Sequence, residues 1–213
     1  MPQIGDYLAQ LWSNGNALEE HSIEWDLQRG AVTCWVPSTP GGEFCLAVHF
    51  KKADRAVRIE LLADGEVLDV RITEKGMKEA YITGNRLNKQ EVRPFQFRSP
   101  TYDGFDDDDE PGRPPGGTIT VELTFVDVVQ HNRIQLDEPG FQAQGGAVGC
   151  VRLGPTVRRP RLDPRLSAAF DFLPEWGDRP FATFHFKHRP KRWLEQKGMM
   201  RGRATAPRSP TRA

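Results

Sequence analysis

The residues best placed to do chemistry in this chain are charged, and they come in two blocks of opposite sign. Lys187-His-Arg-Pro-Lys-Arg192 sets four fixed cations, Lys187, Arg189, Lys191 and Arg192, within six residues. That composition suits a phosphate-contacting patch or a nuclear import signal, and it equally describes a solvated face. From Lys187 onward the sequence holds nine Lys or Arg against one acid, Glu195. Asp106, Asp107, Asp108, Asp109 and Glu110 form the opposing block, with Asp103 just before them and no cation among them. A calcium loop alternates its oxygen ligands around a glycine turn and adds a distant bidentate acid, so that about six to eight oxygens converge. Four consecutive Asp cannot all point inward, which favours a solvated loop first, a partner-binding acidic patch second and a metal site last.

Other reactive groups are scattered. His21, His49, His131, His185 and His188 include no pair at the i, i+4 spacing of a helical zinc site. A site assembled from separate strands, such as His49 with His185, stays open at this level, but a strand histidine on a wet face is ordinarily a surface residue. Cys34, Cys45 and Cys150 form neither a C-x-x-C pair nor a dense disulfide framework, and on strands they read as small packing groups. A nucleophile elbow, a phosphate-cradling Gly-x-x-x-x-Gly-Lys-Ser/Thr loop and a dinucleotide Gly-x-Gly-x-x-Gly turn are all absent from the sequence. Gly145-Gly-Ala-Val-Gly149 reads as a plain turn. No catalytic, cofactor or metal residue is therefore assigned, and the expectation is a non-enzyme without a cofactor.

The elements that position these groups read as strands, because apolar residues alternate with a period of two. Val32, Cys34 and Val36 share one face of a run that Pro37 ends. Phe44, Leu46, Val48 and Phe50 do the same after Gly41-Gly42, and Val57, Ile59 and Leu61 alternate with Arg58 and Glu60. Asp64-Gly65 then signals a hairpin, since both residues of that turn take positive φ, and it leads to Leu68, Val70 and Ile72 on one predicted face. Ile119, Val121, Leu123 and Phe125 line another strand. Ala182, Phe184 and Phe186 line the last, with Phe181, Thr183, His185 and Lys187 opposite. The two faces separate Phe184 and Phe186 from the cations, so core packing is expected rather than a base-stacking platform. Trp25 and Trp35 read as sandwich residues.

Short half-polar strands with Gly and Pro punctuation predict an all-β fold, an antiparallel β-sandwich over residues 20–190 with a polar acidic loop at 102–117. Helix is confined to the ends. Residues 191–200 predict a short basic helix after Pro190, and Ile4, Leu8, Leu11 and Trp12 are spaced for one short helical turn within an N-terminal segment 1–19. Residues 201–213, with Arg201, Arg203, Arg208 and Arg212 among Pro, Ser, Thr and Ala, predict a disordered tail. Ser209-Pro210 in it offers a proline-directed phosphorylation dipeptide.

At 213 residues the chain suits one domain with extended ends. Lys plus Arg and Asp plus Glu are both 29, so no global field recruits nucleic acid or a membrane surface, although each block keeps its own potential over a Debye length. Without a signal-type apolar start, an N-glycosylation acceptor or an apolar run near the roughly 20 residues of a spanning helix, an intracellular, reducing home is expected.

The run Val32-Thr-Cys-Trp-Val-Pro-Ser38, the Gly-Gly turn before Phe44, Asp64-Gly65, Arg93-Pro-Phe-Gln-Phe97, Gly117-Thr-Ile119 and Pro180-Phe-Ala-Thr-Phe-His-Phe-Lys-His-Arg-Pro190 together resemble an uncharacterised fungal domain family of unknown function. The last motif is the most specific of them. The resemblance implies an intracellular, mostly β domain sometimes followed by low-complexity extensions, and it supplies no catalytic residue. The functional expectation is a non-catalytic protein-interaction module, cytoplasmic with nuclear access. A nucleic-acid- or chromatin-associated protein using the cations after Lys187 is the alternative, and an enzyme with an unrecognised site a further one.

Overall fold

The computed structural model describes residues 2–87, 91–98, 117–132, 147–148, 150–158 and 167–200. The acidic residues Asp106 to Glu110, most of the 102–117 loop and the segment 201–213 lie outside them.

Among the described residues the chain forms two β-sheets and one short helix. In the first sheet, β2 (Tyr7–Ser13), β6 (Glu43–Phe50) and β11 (Glu91–Phe97) are neighbours. β1 (Gln3–Ile4) and β3 (Asn16–Ala17) flank β2, β9 (Glu79–Ile82) pairs with β6, and β10 (Gly84–Arg86), β14 (Val151–Leu153) and β15 (Val157–Arg158) pair with β11, with β13 (Ala147–Val148) beyond β14. The second sheet runs β4 (His21–Asp26), β5 (Ala31–Ser38), β17 (Ala182–Pro190), β12 (Thr118–Asn132), β7 (Ala56–Ala63), β8 (Glu66–Thr73), and β16 (Ser167–Phe172) pairs with the far half of β12.

One hydrophobic cluster takes residues from both sheets, Leu11, Leu46, Val48, Phe95 and Phe97 from the first and Val32, Ile59, Val121, Phe184 and Phe186 from the second. The sheets are thus packed face to face as a sandwich. Phe184 and Phe186 are fully buried, as their alternation predicts. Each such side chain stabilises the fold by about 1.5–3 kcal/mol relative to exposure.

The sandwich is not wholly antiparallel. β17 is antiparallel to β12 but parallel to β5, with Phe184 opposite Val32 and Lys187 opposite Trp35. A period-two pattern carries no information about strand direction, and a long intervening chain allows either sense.

Three local expectations are also corrected. The N-terminal segment is strand, not helix: β2 pairs with β6 along its whole length and buries Ala9 and Leu11, a period-two pattern that outweighs the helical spacing of Ile4, Leu8 and Leu11. Its hairpin to β3 turns at Asn14 and Gly15, with φ of 51° and 76°, a turn of the same kind as Asp64-Gly65, where φ is 47° and 86°. In β8 the register shifts opposite Leu61 and Leu62, so that Asp69 and Arg71, not Val70 and Ile72, lie on the face of Leu61 and Ile59. Leu68 stays buried and Val70 turns outward, because one extra residue reverses the pleat. Trp25, on the edge strand β4 beside a register irregularity, is 54% exposed rather than a core residue.

Candidate interaction surface

β17 is the scaffold of the most developed polar surface. Its inward side chains Phe184 and Phe186 enter the core, and His188 continues that row to Phe97 of the opposite sheet, ring centroids 4.9 Å apart. Its outward side chains are Thr183, His185, Lys187 and Arg189. The predicted cations Lys187 and Arg189 are therefore two residues apart on one face, and across from them Trp35 projects from β5.

These side chains interlock. The Lys187 ammonium lies 5.3 Å and the Arg189 guanidinium 5.7 Å from the centre of the Trp35 ring. Trp193, from the helix α1 (Lys191–Gln196), lies 5.5 Å from Trp35 with its ring tilted by 33°. Arg189 is also 5.5 Å, and Lys197 5.6 Å, from the Trp193 ring. The result is a ladder of alternating cations and tryptophans. Each such contact contributes about 0.5–1 kcal/mol when exposed and about 2 when desolvated.

The helix is held on the ladder from below and closed at its end. Leu194 is fully buried. Gly198, at φ 69°, takes the left-handed conformation that ends helices, and Met199 N donates to Leu194 O at 3.0 Å. Helix therefore stops at Gln196 rather than running to residue 200. Lys191 and Arg192 are exposed on it, and Lys191 lies 3.9 Å from Glu195 one turn on.

The four predicted basic residues thus divide. Arg189 is only 7% exposed, and its guanidinium donates to His188 O at 2.9 Å. Gly117 makes room for it: a Cβ there would come within 2.5 Å of the guanidinium, and φ is 86°. An import signal needs an extended, exposed run of cations. With Lys187 and Arg189 fixed in a central strand and Lys191 and Arg192 in a helix, the described geometry does not supply one.

Beneath the ladder, His188 Nδ1 lies 3.0 Å from Ser38 Oγ, and its Nε2 is buried with no partner among the described residues. Burial, and then the Arg189 charge, push its pKa down to about 3, so the imidazole is neutral. His185 is shifted down too, by burial and then Lys187, and its Nδ1 lies 3.0 Å from Thr120 Oγ1. Further across the same sheet, Glu122 stands opposite Glu60. Burial first and the Glu60 charge second raise its pKa, against the pull of Arg58, which donates to Glu60.

Asp64 has a role beyond its turn. Its carboxylate accepts hydrogen bonds from the backbone N–H groups of Gly117 and Thr118, both at 2.8 Å, and so pins the start of β12 beside β17. The sequence marks Asp64 only as a turn residue.

The remaining sequence candidates stay apart. His49 and His185 lie in different sheets, His49 near Glu79 and His185 on Thr120. No cluster of three or more His, Cys, Asp or Glu suited to a metal occurs among the described residues. Cys34 and Cys150 are buried, and burial raises both thiols, Cys34 to about 12, so neither is a thiolate near neutrality. No helix among the described residues is long and apolar enough to cross a membrane. In comparisons with known proteins, no family model, curated protein or solved structure matches this chain.

Proposed function

We propose that this chain is a non-catalytic protein-interaction module that docks an acidic segment of a partner protein on the face of β17 and α1. The observation that carries this reading is the ladder of Lys187, Trp35, Arg189, Trp193 and Lys197, which fixes positive charge beside the exposed Lys191 and Arg192. Cations already ordered by stacking lose less side-chain entropy on meeting a carboxylate than free ones do.

An acidic peptide is favoured over nucleic acid because single strands are held by bases stacking on open aromatic faces. Here each ring already carries two cations, and Trp35 is buried. Cytoplasmic residence and kinship with the fungal family resembled by residues 180–190 belong to the same proposal.

Fluorescence anisotropy with a labelled peptide of alternating Asp, Glu and Ser, and in parallel with a mixed-sequence single-stranded oligonucleotide, tests it. The peptide is expected to bind, and the double reversal Lys191→Glu with Arg192→Glu is expected to weaken it at least about tenfold, the scale of an interface hot spot. Tighter binding of the oligonucleotide, with a steep loss on adding salt, would replace this reading by the nucleic-acid one. Binding of neither probe would refute both.

A further inference from the structure

The outer face of the first sheet carries a groove, remote from the ladder, whose construction points to a different ligand. On β6, Leu46 and Val48 enter the core, which turns the small side chains of Cys45 and Ala47 outward. Large rings stand on both neighbouring strands: Trp12 of β2 is directly opposite Cys45, and Tyr81 of β9 directly opposite Ala47. A groove of about 310 Å³ runs here, lined by Trp12, Cys45 and Tyr81, with Thr83, Pro94 and Glu43 completing the wall. Tyr81 is 47% exposed, and its hydroxyl donates to Glu79 at 3.1 Å. The Trp12 indole N–H is buried with no acceptor among the described residues.

Aromatic walls, a small-residue floor and a flanking carboxylate are the chemistry that receives a polyproline II segment. Proline rings wedge between the aromatics, and an adjacent Arg meets the carboxylate. The chain itself contains a stretch of matching composition. After Met200 it reads Arg201-Gly-Arg-Ala-Thr-Ala-Pro-Arg-Ser-Pro-Thr-Arg-Ala213, a Pro207-x-x-Pro210 motif among Arg203, Arg208 and Arg212 with no acid.

We propose that this groove binds the chain's own Pro207–Pro210 segment. Pro190 is paired with Ser38, so α1 starts at the end of the sandwich where β5 turns back into β6, and Glu43 at the start of β6 lines the groove. The two sheets are about 10 Å apart, and the residues from Met200 to Pro207 span at most about 25 Å when extended. The charges are complementary, the cationic Arg-bearing segment against the anionic Glu43. A phosphate on Ser209 would place like charge beside that carboxylate and release the segment.

The test uses a fluorescent peptide of residues 201–213 and two chains of residues 1–213, one unaltered and one carrying Pro207→Ala with Pro210→Ala, whose own segment no longer competes. A short tether supplies an effective concentration of about 1 mM. The peptide is therefore expected to bind the altered chain with a Kd below about 1 mM and to bind the unaltered chain at least about twofold more weakly. Tyr81→Ala in the altered chain is expected to raise Kd at least about tenfold with an unchanged circular dichroism spectrum, since Tyr81 lies outside the core. A peptide phosphorylated at Ser209 is expected to bind more weakly. A Kd above about 1 mM, equal binding to the two chains, or indifference to Tyr81→Ala would overturn the proposal. So would a concentration-dependent dimer in sedimentation that the Pro207→Ala, Pro210→Ala chain no longer forms, which would put the segment in the groove of a second copy. None of these outcomes depends on the ladder.

Discussion

Asp64→Ala tests how the polar surface is held in place. The Asp64 carboxylate accepts from Gly117 N and Thr118 N at 2.8 Å each, and the Asp64 N–H donates to Thr118 O at the same distance. Hydrogen bonds to a charged acceptor are worth about 1.5–3 kcal/mol each. Alanine loses two of them, in a backbone of φ 47° that costs alanine about 1 kcal/mol more. With water reaching the half-buried turn, the expected destabilisation is about 3 to 5 kcal/mol. Asp64→Asn keeps the turn preference and an accepting oxygen but halves the strength of the bonds, so about 1 to 2 kcal/mol is expected. Urea denaturation of the three proteins, followed by circular dichroism, measures both values. Equal losses for Ala and Asn, or losses within about 0.5 kcal/mol of zero, the ordinary range for surface changes, would refute the pinning role.

The remaining predictions concern the core and its buried histidine. Phe184→Ala is expected to cost about 3 to 5 kcal/mol, because it leaves a cavity between the sheets, and Thr183→Ala on the outward face about 1 kcal/mol or less; similar small losses in a denaturant titration would contradict the assigned facing. His188, held at about 3 when folded against about 6.5 when unfolded, binds its proton more readily in the unfolded chain. Its contribution is therefore fully present above about pH 6.5 and is lost as pH falls toward 3, by up to about 1.4 kcal/mol per pH unit. Glu122, shifted upward, titrates with the opposite sign, so the measurement is the difference between the unaltered protein and His188→Phe. That difference should shrink as pH drops through this window, and a pH-independent difference would show that the imidazole is not held neutral.

Much of the fold was written in local pattern, and the surface was not. Alternation marked Phe184 and Phe186 as core, and Asp64-Gly65 as a turn, because pleat and turn conformation depend on nearest neighbours. The same pattern is blind to strand direction, so the parallel pairing of Lys187 with Trp35 could not be read from it. At the N-terminus, Leu8 and Leu11 satisfied a helical spacing while Ala9 and Leu11 satisfied a strand spacing, and only the partner β6 decides between them. In β8 the reversal at Leu68 and Asp69 comes from one extra residue against β7, which no composition signals. The basic run was visible as charge, but its form depends on Trp35, far away in the chain, and on a helix that turns Trp193 back over it. Trp12 and Tyr81 likewise become groove walls only because β2 and β9 flank β6.

The docking claim is tested most directly by the indole N–H signals of the tryptophans in an NMR titration with the acidic peptide. The chain has five, Trp12, Trp25, Trp35, Trp176 and Trp193. Binding on the ladder predicts saturable shifts of Trp35 and Trp193 that Lys191→Glu with Arg192→Glu suppresses, while Trp12 in the opposite sheet stays where it was. Shifts confined to Trp12, Trp25 or Trp176, or none at saturating peptide, would contradict the assignment of this face.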